Sequence, residues 1–287
     1  MTEGPAGSSC VVVGVDGSPG SRRALEWALN KRDRLGRIKP VITFHAGPFS
    51  DGFGTITGVK PEGQPYRDEA FAAMSEVLEA IDPHLREQAE VIQHWPGPGL
   101  VEASRDANLL VVGNRGRTAL AETLLGSVGS YCVKHSQVPV AVIPDNVPTT
   151  EPLSTLVVGV DGSTNAEAAL RWAIEHVEPE GKIVALGVYP PADLHGAEST
   201  DQHEIVMRRQ VEDSAAKSLR RTGLRRDVEI RITPGDPRTE LPMAAQQADL
   251  VVVGSRGHRA VAHLLLGSVA TALTHHPELA TVVVPDR

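Results

Sequence analysis

The feature that most constrains the fold is an internal repeat, because one domain-length pattern is written twice in the 287 residues. The segment Val12–Ser18 returns with the same residues as Val157–Ser163. Self-similarity over such a distance marks two copies of one folding unit. The sequence therefore predicts tandem domains over residues 1–147 and 148–287, joined through the proline-containing residues 144–154.

A glycine signature follows the fourth apolar run of each copy. In the first copy Gly113-x-x-Gly116 is separated by nine residues from Gly126-Ser127, and residues 254–257 and 267–268 repeat this spacing. A glycine turn at the end of a buried strand lets backbone N–H groups approach a ligand, and free amides at a helix start favour an anion. A single Gly-x-x-Gly is usually only a turn. Its duplication with identical spacing favours a phosphate site in each copy.

Short apolar runs alternate with helical periodicity in each copy, which predicts a β-α-β-α-β-α-β-α-β order. The predicted strands cover residues 10–15, 41–45, 90–94, 109–112 and 139–143, and then 155–160, 182–188, 228–233, 250–253 and 281–284. The predicted helices of the first copy begin at Pro19 or cover residues 67–85, 100–106 and 126–135, and residues 47–65 are predicted to form a loop. This alternation indicates an α/β fold with two tandem open parallel five-stranded sheets, Rossmann-like, with helices on both faces.

The last strand of each copy is apolar and comes at the end of its unit, so we expect it at a sheet edge. An exposed apolar edge invites pairing with another strand. The simplest protection is that the two copies pair these edges or pack these faces together, which predicts an intramolecular pairing of the domains. Coverage by a loop of the same copy is the alternative.

Composition argues against several classes of partner. The net charge is −8 and both halves share the acidic excess, which is unlike a nucleic-acid-binding protein. The apolar run Val11–Val15 has no basic region before it and is too short for a signal sequence or a membrane span. Cys10 and Cys132 match no metal-binding or disulfide spacing. We interpret the chain as a cytoplasmic protein that binds neither nucleic acid nor membranes.

The whole chain resembles a tandem universal stress protein. The resemblance rests on Val-Gly-Val-Asp-Gly-Ser at the first strand, Gly-x2-Gly-x9-Gly-Ser after the fourth and an apolar Val-rich fifth strand, which occur in both halves. It implies an open α/β sheet similar to that of the adenine nucleotide alpha-hydrolase group. Members that carry this glycine signature bind ATP, so the resemblance implies one ATP site in each domain.

The resemblance also assigns residues to the two sites. The implied phosphate contacts are Gly113, Gly116, Gly126 and Ser127 in the first copy, and Gly254, Gly257, Gly267 and Ser268 in the second. The residues implied to lie near the nucleoside are Asp16, Val15 and Ala46, and Asp161, Val160 and Val188. Magnesium would be held by the ATP phosphates, with Ser127 and Ser268 as further ligands, since no metal site formed by the protein alone is expected.

Several of these residues have a second interpretation. Asp16 and Asp161 could cap the following helix instead of facing the nucleoside. Arg115 and Arg256, with Arg117 and Arg259 nearby, could contact phosphates or stay in solvent. His45, which the sequence aligns with Gly187 of the second copy, is interpreted as a packing or tuning residue.

The sequence favours binding over catalysis. No P-loop lysine is present, and no nucleophile and base recur together in both halves. We expect a stress-response sensor or regulatory module that responds to ATP, acts on an unidentified regulatory protein partner and is either a monomer or a homodimer. The alternatives are a slow ATPase, a cyclic adenine-nucleotide binder and a structural oligomerisation module.

The two copies differ in length near one pocket. Gly97 and Gly113 are closer in sequence than Gly235 and Gly254, which predicts a shorter helix before the fourth strand of the first copy. The loop after its second strand is predicted to be longer. We therefore expect the two sites to have different dissociation constants.

Overall fold

Ten strands and nine α-helices are present in the computed structural model, which describes residues 9–45, 64–116, 125–190, 200–257 and 265–285. The strands are β1 (Cys10–Gly14), β2 (Arg37–Phe44), β3 (Glu90–Gln93), β4 (Leu109–Gly113), β5 (Val140–Ile143), β6 (Thr155–Gly159), β7 (Lys182–Tyr189), β8 (Val228–Pro234), β9 (Leu250–Gly254) and β10 (Thr281–Val284). The helices are α1 (Pro19–Asn30), α2 (Arg32–Leu35), α3 (Gln64–Ile81), α4 (Pro96–Ala103), α5 (Ser127–His135), α6 (Thr164–His176), α7 (Thr200–Thr222), α8 (Pro237–Ala244) and α9 (Ser268–Thr274). Among these described helices, none has the length and apolar character needed to cross a membrane.

The strands form one sheet in the order β3-β2-β1-β4-β5-β10-β9-β6-β7-β8. Within each copy all the neighbouring strands are parallel, which confirms the predicted α/β class and the five-stranded parallel units. The order in which successive strands are added to the sheet reverses between β1 and β4 and between β6 and β9, and an open α/β sheet leaves a crevice there at the carboxyl ends of its strands.

The two units join edge to edge, because β5 pairs with β10 in antiparallel orientation. Ala141 lies opposite Val282, with Val140 opposite Val283 and Val142 opposite Thr281. All residues of both strands are buried. The predicted pairing of the two apolar edges is confirmed, and the two predicted sheets are continuous with each other.

Alternating residues of each central strand supply the cores on the two faces of the sheet. Val11 and Val13 belong to the core that includes α1, α3 and α6, and Val12 belongs to the opposite core. The first core contains residues of both copies, among them Ile143 and Val282. The two copies are therefore packed as well as hydrogen-bonded together.

Helix α1 begins where its sequence predicts. Ser18 is the N-cap, its hydroxyl accepts a hydrogen bond from the Ser21 amide, and Pro19 occupies the first helical position. Ser163 caps α6 in the same way through the Ala166 amide.

Three elements have bounds that differ from those expected by more than one or two residues. Strand β2 begins at Arg37 instead of residue 41, because Pro40 sits inside the strand opposite Val13 of β1. Helix α3 begins and ends earlier than predicted. Helix α4 covers Pro96–Ala103 rather than 100–106, since the first proline of Pro-Gly-Pro-Gly starts a helix and does not end a strand.

The strand registers give a different alignment of the two copies from the one based on Gly97 and Gly235. Phe44 pairs with Gln93 and Tyr189 pairs with Pro234, so Trp95 corresponds to Asp236, and each is the N-cap of the following helix. Helices α4 and α8 have eight residues each. The predicted shorter helix in the first copy is wrong, because Gly97 and Gly235 are not equivalent. The first copy does have the longer connection after its second strand, residues 45–63 against 190–199.

The segment between the copies packs more closely than its prolines suggest. Val147, Thr149 and Leu153 are buried, and the carboxylate of Asp249 accepts hydrogen bonds from the amides of Ser154 and Thr155. Lys31 at the end of α1 is 3% exposed and donates from Nζ to the Thr149 carbonyl oxygen at 2.8 Å. A side chain of the first domain thus fixes the linker.

Replacing Lys31 by Met should remove an increase in the free energy of unfolding that the wild type gains between about pH 8 and pH 10.5. Burial lowers the pKa of Lys31 from 10.5 to about 8, opposed by Asp249 and Glu151. Below pH 8 the amine is protonated in both the folded and the unfolded chain, and between pH 8 and 10.5 the unfolded chain holds more protons, so the Lys31 contribution to stability rises with pH. From pH 7 to 10.5 the free energy of unfolding of the wild type should therefore gain on the order of 3 kcal/mol over that of Lys31→Met.

Urea unfolding of both chains at several pH values measures this gain. The thiol of Cys132, whose pKa burial raises to about 12, titrates in both chains and cancels in the comparison. A stability difference that stays constant with pH would contradict the prediction.

Candidate functional site

The glycine signature of each copy lies at the crevice between its first and fourth strands. Strand β4 ends at Gly113 beside β1, which ends at Gly14. Strands β9 and β6 have the same relation in the second copy. The signature and the aspartate that follows the first strand are therefore brought to the same end of the sheet.

Each aspartate lies directly against the second glycine of the signature. A Cβ placed on Gly116 would be 2.8 Å from Oδ2 of Asp16, and one on Gly257 would be 2.5 Å from Oδ2 of Asp161. Any larger residue would have to displace the carboxylate. This juxtaposition of two distant predicted residues occurs in both copies.

The Gly-Ser pairs fold back onto the same loops. The Gly126 amide donates to the Asn114 carbonyl oxygen at 2.7 Å, and the Gly267 amide donates to the Ser255 carbonyl oxygen at 2.8 Å. Gly126 and Gly267 are the N-caps of α5 and α9, and among the described residues no side chain caps either helix. The backbone amides of these first turns are suited to an anion.

Gly126 and Gly267 leave open space at this position. A Cβ at Gly126 would meet its nearest neighbour, the Asn114 carbonyl oxygen, at 3.5 Å, and one at Gly267 would meet the Ser255 carbonyl oxygen at 3.4 Å. Ser127 and Ser268 are exposed beside them. The geometry is thus a cradle with room for a phosphate next to a serine hydroxyl.

The first glycine of each signature has a separate structural reason. A Cβ on Gly113 would lie 2.6 Å from the carbonyl carbon and oxygen of Gly20, and one on Gly254 would lie 2.6 Å from Cβ of Asn165. Both glycines let the start of a helix pack directly on the end of a strand. Their predicted contact with the nucleotide stays a prediction.

Asp16 orders the turn before α1 as well as facing the glycine. Its Oδ1 accepts hydrogen bonds from the amide and the hydroxyl of Ser18 at 2.9 and 2.5 Å. Oδ1 of Asp161 accepts from the Ser163 amide at 3.1 Å. Because Ser18 and Ser163 are the N-caps, each aspartate orders the turn before the helix and does not cap it, and Oδ2 is the oxygen beside the signature glycine.

The arginines of the signature lie at the rim of the site. Arg115 approaches Asp145 with Nη1 at 3.7 Å from Oδ2, and both side chains are about one-third exposed. Arg256 is partly buried. Arg117 and Arg259 lie outside the described residues.

The predicted base-side residues fall at the ends of the first and second strands. Val15 and Val160 are buried, and their amides donate to the carbonyl oxygens of Val41 and Leu186. Val188 lies two residues beyond Leu186, which is where Thr43 stands in the first copy. Ala46, the residue predicted to match Val188, lies outside the described residues.

The strand registers also change which residue of the second copy is equivalent to His45. Gly14 pairs with Val41 and Gly159 pairs with Leu186, so His45 corresponds to Pro190 and not to Gly187. This alignment required the strand pairing, because the two copies share no landmark residue in this region.

One exchange between the copies was not anticipated from the sequence. Asn114 is buried beside Gly116, and its Oδ1 has no hydrogen-bond partner in the part of the chain that the structure describes. The second copy has Ser255 there, and Asn165 of α6, which corresponds to Gly20, donates to the Ser255 hydroxyl at 3.5 Å. The asparagine side chain thus belongs to the signature loop in the first copy and to helix α6 in the second. Comparing the two halves position by position would have revealed the exchange.

Within the ranges given above, no three His, Cys, Asp or Glu side chains group together as ligands for a metal ion. The residues at the crevice include glycines, serines, valines and one aspartate in each copy, with Asn114 and the signature arginines beside them. This set can bind a phosphate and a sugar hydroxyl.

Comparison with known proteins identifies the relatives of both halves. The model of the universal stress protein family matches residues 10–144 and again residues 153–285. Universal stress protein Rv2005c of Mycobacterium tuberculosis strain H37Rv is 32% identical over 288 residues, covering 95% of this chain and 96% of its own. Universal stress protein Rv1996 of the same strain is 31% identical over 301 residues, with coverages of 95% and 94%.

Solved structures show the same fold. The crystal structure of a universal stress protein from Archaeoglobus fulgidus superimposes with a TM-score of 0.65 at 22% identity, covering 96% of both chains. The protein PA1789 of Pseudomonas aeruginosa, described as functionally unknown, has a TM-score of 0.61 at 12% identity. The whole two-domain arrangement is therefore shared with crystal structures.

Proposed function

Because this chain belongs to the universal stress protein family, we propose that it binds one ATP molecule at each of its two glycine signatures and acts as a stress-response regulatory module. The observation that carries the proposal is the contact of each first-strand aspartate with a signature glycine, Asp16 with Gly116 and Asp161 with Gly257. Beside each contact a Gly-Ser pair opens a helix without a side-chain cap among the described residues.

The residues of each crevice suit the successive parts of a nucleotide. Backbone amides of the first helical turns that follow Gly126 and Gly267, with the hydroxyls of Ser127 and Ser268, would bind phosphate oxygens. The carboxylates of Asp16 and Asp161 can accept hydrogen bonds from ribose hydroxyls. Magnesium, when bound with the nucleotide, would supply positive charge to the phosphates, and Ser127 or Ser268 would contribute a neutral oxygen ligand.

The base would lie over the ends of the first and second strands. Val15 and Val160 lie there as buried apolar residues, and the backbone of Val188 extends beyond the end of β6. Recognition by backbone groups requires geometry more than a particular side chain, which explains why the second strands of the two copies have such different sequences.

The proposed activity is the binding of ATP rather than its catalytic turnover. The chain has no P-loop lysine to neutralise the β- and γ-phosphates, and no nucleophile and base were recognised in the sequence that recur together in both halves. A regulatory protein partner and a cytoplasmic location complete the proposal. ATP occupancy would change which partner the two joined domains bind.

Isothermal titration of the purified chain with ATP tests this function. We expect two binding sites per chain for ATP and weaker binding of adenosine 3′,5′-monophosphate, which lacks the β- and γ-phosphates. The supernatant of heat-denatured protein, run on an ion-exchange column, should also contain adenine nucleotide carried through purification.

The same titration distinguishes the other candidate activities. Tighter binding of the cyclic nucleotide than of ATP would replace the proposal by cyclic-nucleotide binding. Phosphate release above that of the buffer would add hydrolysis. Nucleotide binding would be rejected altogether if the purified protein carries no adenine nucleotide and neither ATP nor the cyclic nucleotide binds in the titration.

A further inference from the structure

Two aromatic side chains stack beside the first nucleotide crevice. His45 follows β2 and Trp95 follows β3, and their ring centroids lie 3.7 Å apart with an interplanar angle of 20°. Trp95 is 59% exposed, although the stacking covers part of its surface. The pair is therefore an ordered aromatic surface in contact with solvent at the carboxyl end of the sheet.

The pair lies across β1 from the signature, toward the carboxyl end of the sheet. Strand β4, which carries the signature, is separated from β2 by β1 alone. By the registers of β1 with both neighbours, His45 is three residues further along its strand than the level of Gly113, so two strand spacings and three residues separate them by about 14 Å. In the proposed binding mode, a nucleotide with its phosphates at Gly126 would extend across β1 toward β2. Since β2 lies between β1 and β3, His45 is nearer to the crevice than Trp95.

The second copy has no aromatic pair at the equivalent positions. Pro190 corresponds to His45, and Asp236 corresponds to Trp95. The carboxylate of Asp236 forms an ion pair with Arg238 of the same turn. The two crevices therefore have the same phosphate cradle and different surroundings at the base end.

We infer that the His45–Trp95 pair is a base-stacking surface of the first nucleotide site, in which His45 contacts the base and Trp95 holds the imidazole in place. The inference rests on the proposed nucleotide binding. It assigns the difference between the two sites to side chains at the ends of β2 and β3. The first site should bind ATP more tightly than the second, and the excess should come from the base.

The strength of stacking sets the expected effect. Contact of one base with an aromatic side chain contributes enough that its removal weakens binding by about tenfold. His45→Ala and Trp95→Ala should each raise the Kd for ATP at the first site by about this factor. Because Trp95 is exposed and gives α4 no side-chain cap among the described residues, Trp95→Ala should fold normally. Trp95→Phe should keep most of the affinity.

The experiment is a titration of the first site alone, in chains that carry Gly267→Glu to block the second. ATP and inorganic tripolyphosphate are the two probes. The alanine variants should lose affinity for ATP and keep the wild-type affinity for tripolyphosphate, because a residue that acts only through folding would change both. Pro190→Ala and Asp236→Ala, studied in chains that carry Gly126→Glu, are the matched controls and should leave ATP binding unchanged.

Tryptophan fluorescence gives an independent readout. Of the three tryptophans, Trp27 and Trp172 are buried and Trp95 is exposed, so a nucleotide-dependent change in accessibility to iodide reports on Trp95. ATP should reduce iodide quenching and tripolyphosphate should not.

The outcomes separate this inference from the proposed function. Wild-type ATP affinity in both alanine variants, with unchanged iodide quenching, would overturn the stacking surface and leave nucleotide binding standing. Failure of the wild-type chain to bind ATP at either site would overturn both.

Discussion

Replacing Gly126 and Gly267 together by glutamate is expected to abolish nucleotide binding while the protein stays folded. Both glycines have φ values that any residue adopts, −69° and −74°, and a Cβ would meet only ordinary contacts. A carboxylate at a helix N-terminus is favourable for the helix. It would, however, occupy the place where a phosphate is expected to bind.

Charge repulsion makes this loss large. Two like unit charges about 4 Å apart near a protein surface repel by about 4 kcal/mol, so the Kd for ATP should rise by at least about 100-fold at each site. Titration calorimetry measures the loss, and circular dichroism establishes that the variant is folded. The Gly126→Gln, Gly267→Gln chain has the same size without the charge and should bind at least about tenfold more tightly than the glutamate chain.

An unchanged affinity in the glutamate chain would show that the phosphates do not lie at the Gly-Ser pairs. The single variants add a further control. Gly126→Glu alone should remove one of the two sites, and Gly267→Glu alone should remove the other.

Replacing Gly113 by alanine should be the most destabilising of the small substitutions at the site. The new Cβ would lie 2.6 Å from the backbone carbon and oxygen of Gly20, and a backbone at the start of a helix cannot rotate away as a flexible side chain can. Either α1 or β4 must shift, and β4 is a central strand with neighbours on both sides. Overpacking of this kind should lower the free energy of unfolding by about 3 kcal/mol.

Urea unfolding followed by circular dichroism measures this change. Gly126→Ala is the matched control, because it adds the same methyl group to the same signature with its nearest contact at 3.5 Å, and its effect should stay below about 0.5 kcal/mol. Equal stabilities of the two variants would mean that α1 does not pack on β4 as closely as the structure shows.

These two glycines illustrate what the sequence could and could not predict. Gly113 and Gly126 belong to one motif, and the motif alone gives both the same role. The motif and its duplication come from local spacing, which a sequence displays directly. The contact of Gly113 with Gly20 joins residues of different elements, and no local pattern encodes it.

The fold was predicted where local chemistry was sufficient. The central strands are continuous apolar runs, and Ser18-Pro19 is a strong helix start, so β1, β4 and α1 lie where they were expected. The pairing of β5 with β10 followed from two apolar edges that needed protection. The alignment of Gly97 with Gly235 was wrong because it matched two glycines in similar contexts. The strand registers instead make Trp95 equivalent to Asp236.

The candidate site was also predicted only in part, because local motifs are visible in a sequence and contacts between distant elements are not. The sequence placed Asp16 and Gly116 at the ends of the first and fourth strands, and the structure brings the two residues together. It did not predict that His45 and Trp95 stack, since the chain between them contains the whole of α3. Nor did it show that Lys31 reaches the linker at Thr149, because a lysine at a helix end normally stays in solvent.

The antiparallel pairing of β5 with β10 has a consequence for how the two sites can differ. The register places Ala141 opposite Val282 and Val142 opposite Thr281, which is the arrangement that two separate identical subunits would adopt about a twofold axis. Such subunits would come apart on dilution and would always carry identical sites. Because one chain contains both halves, the pairing persists at any protein concentration, and each half can carry its own ligand preference without losing its partner.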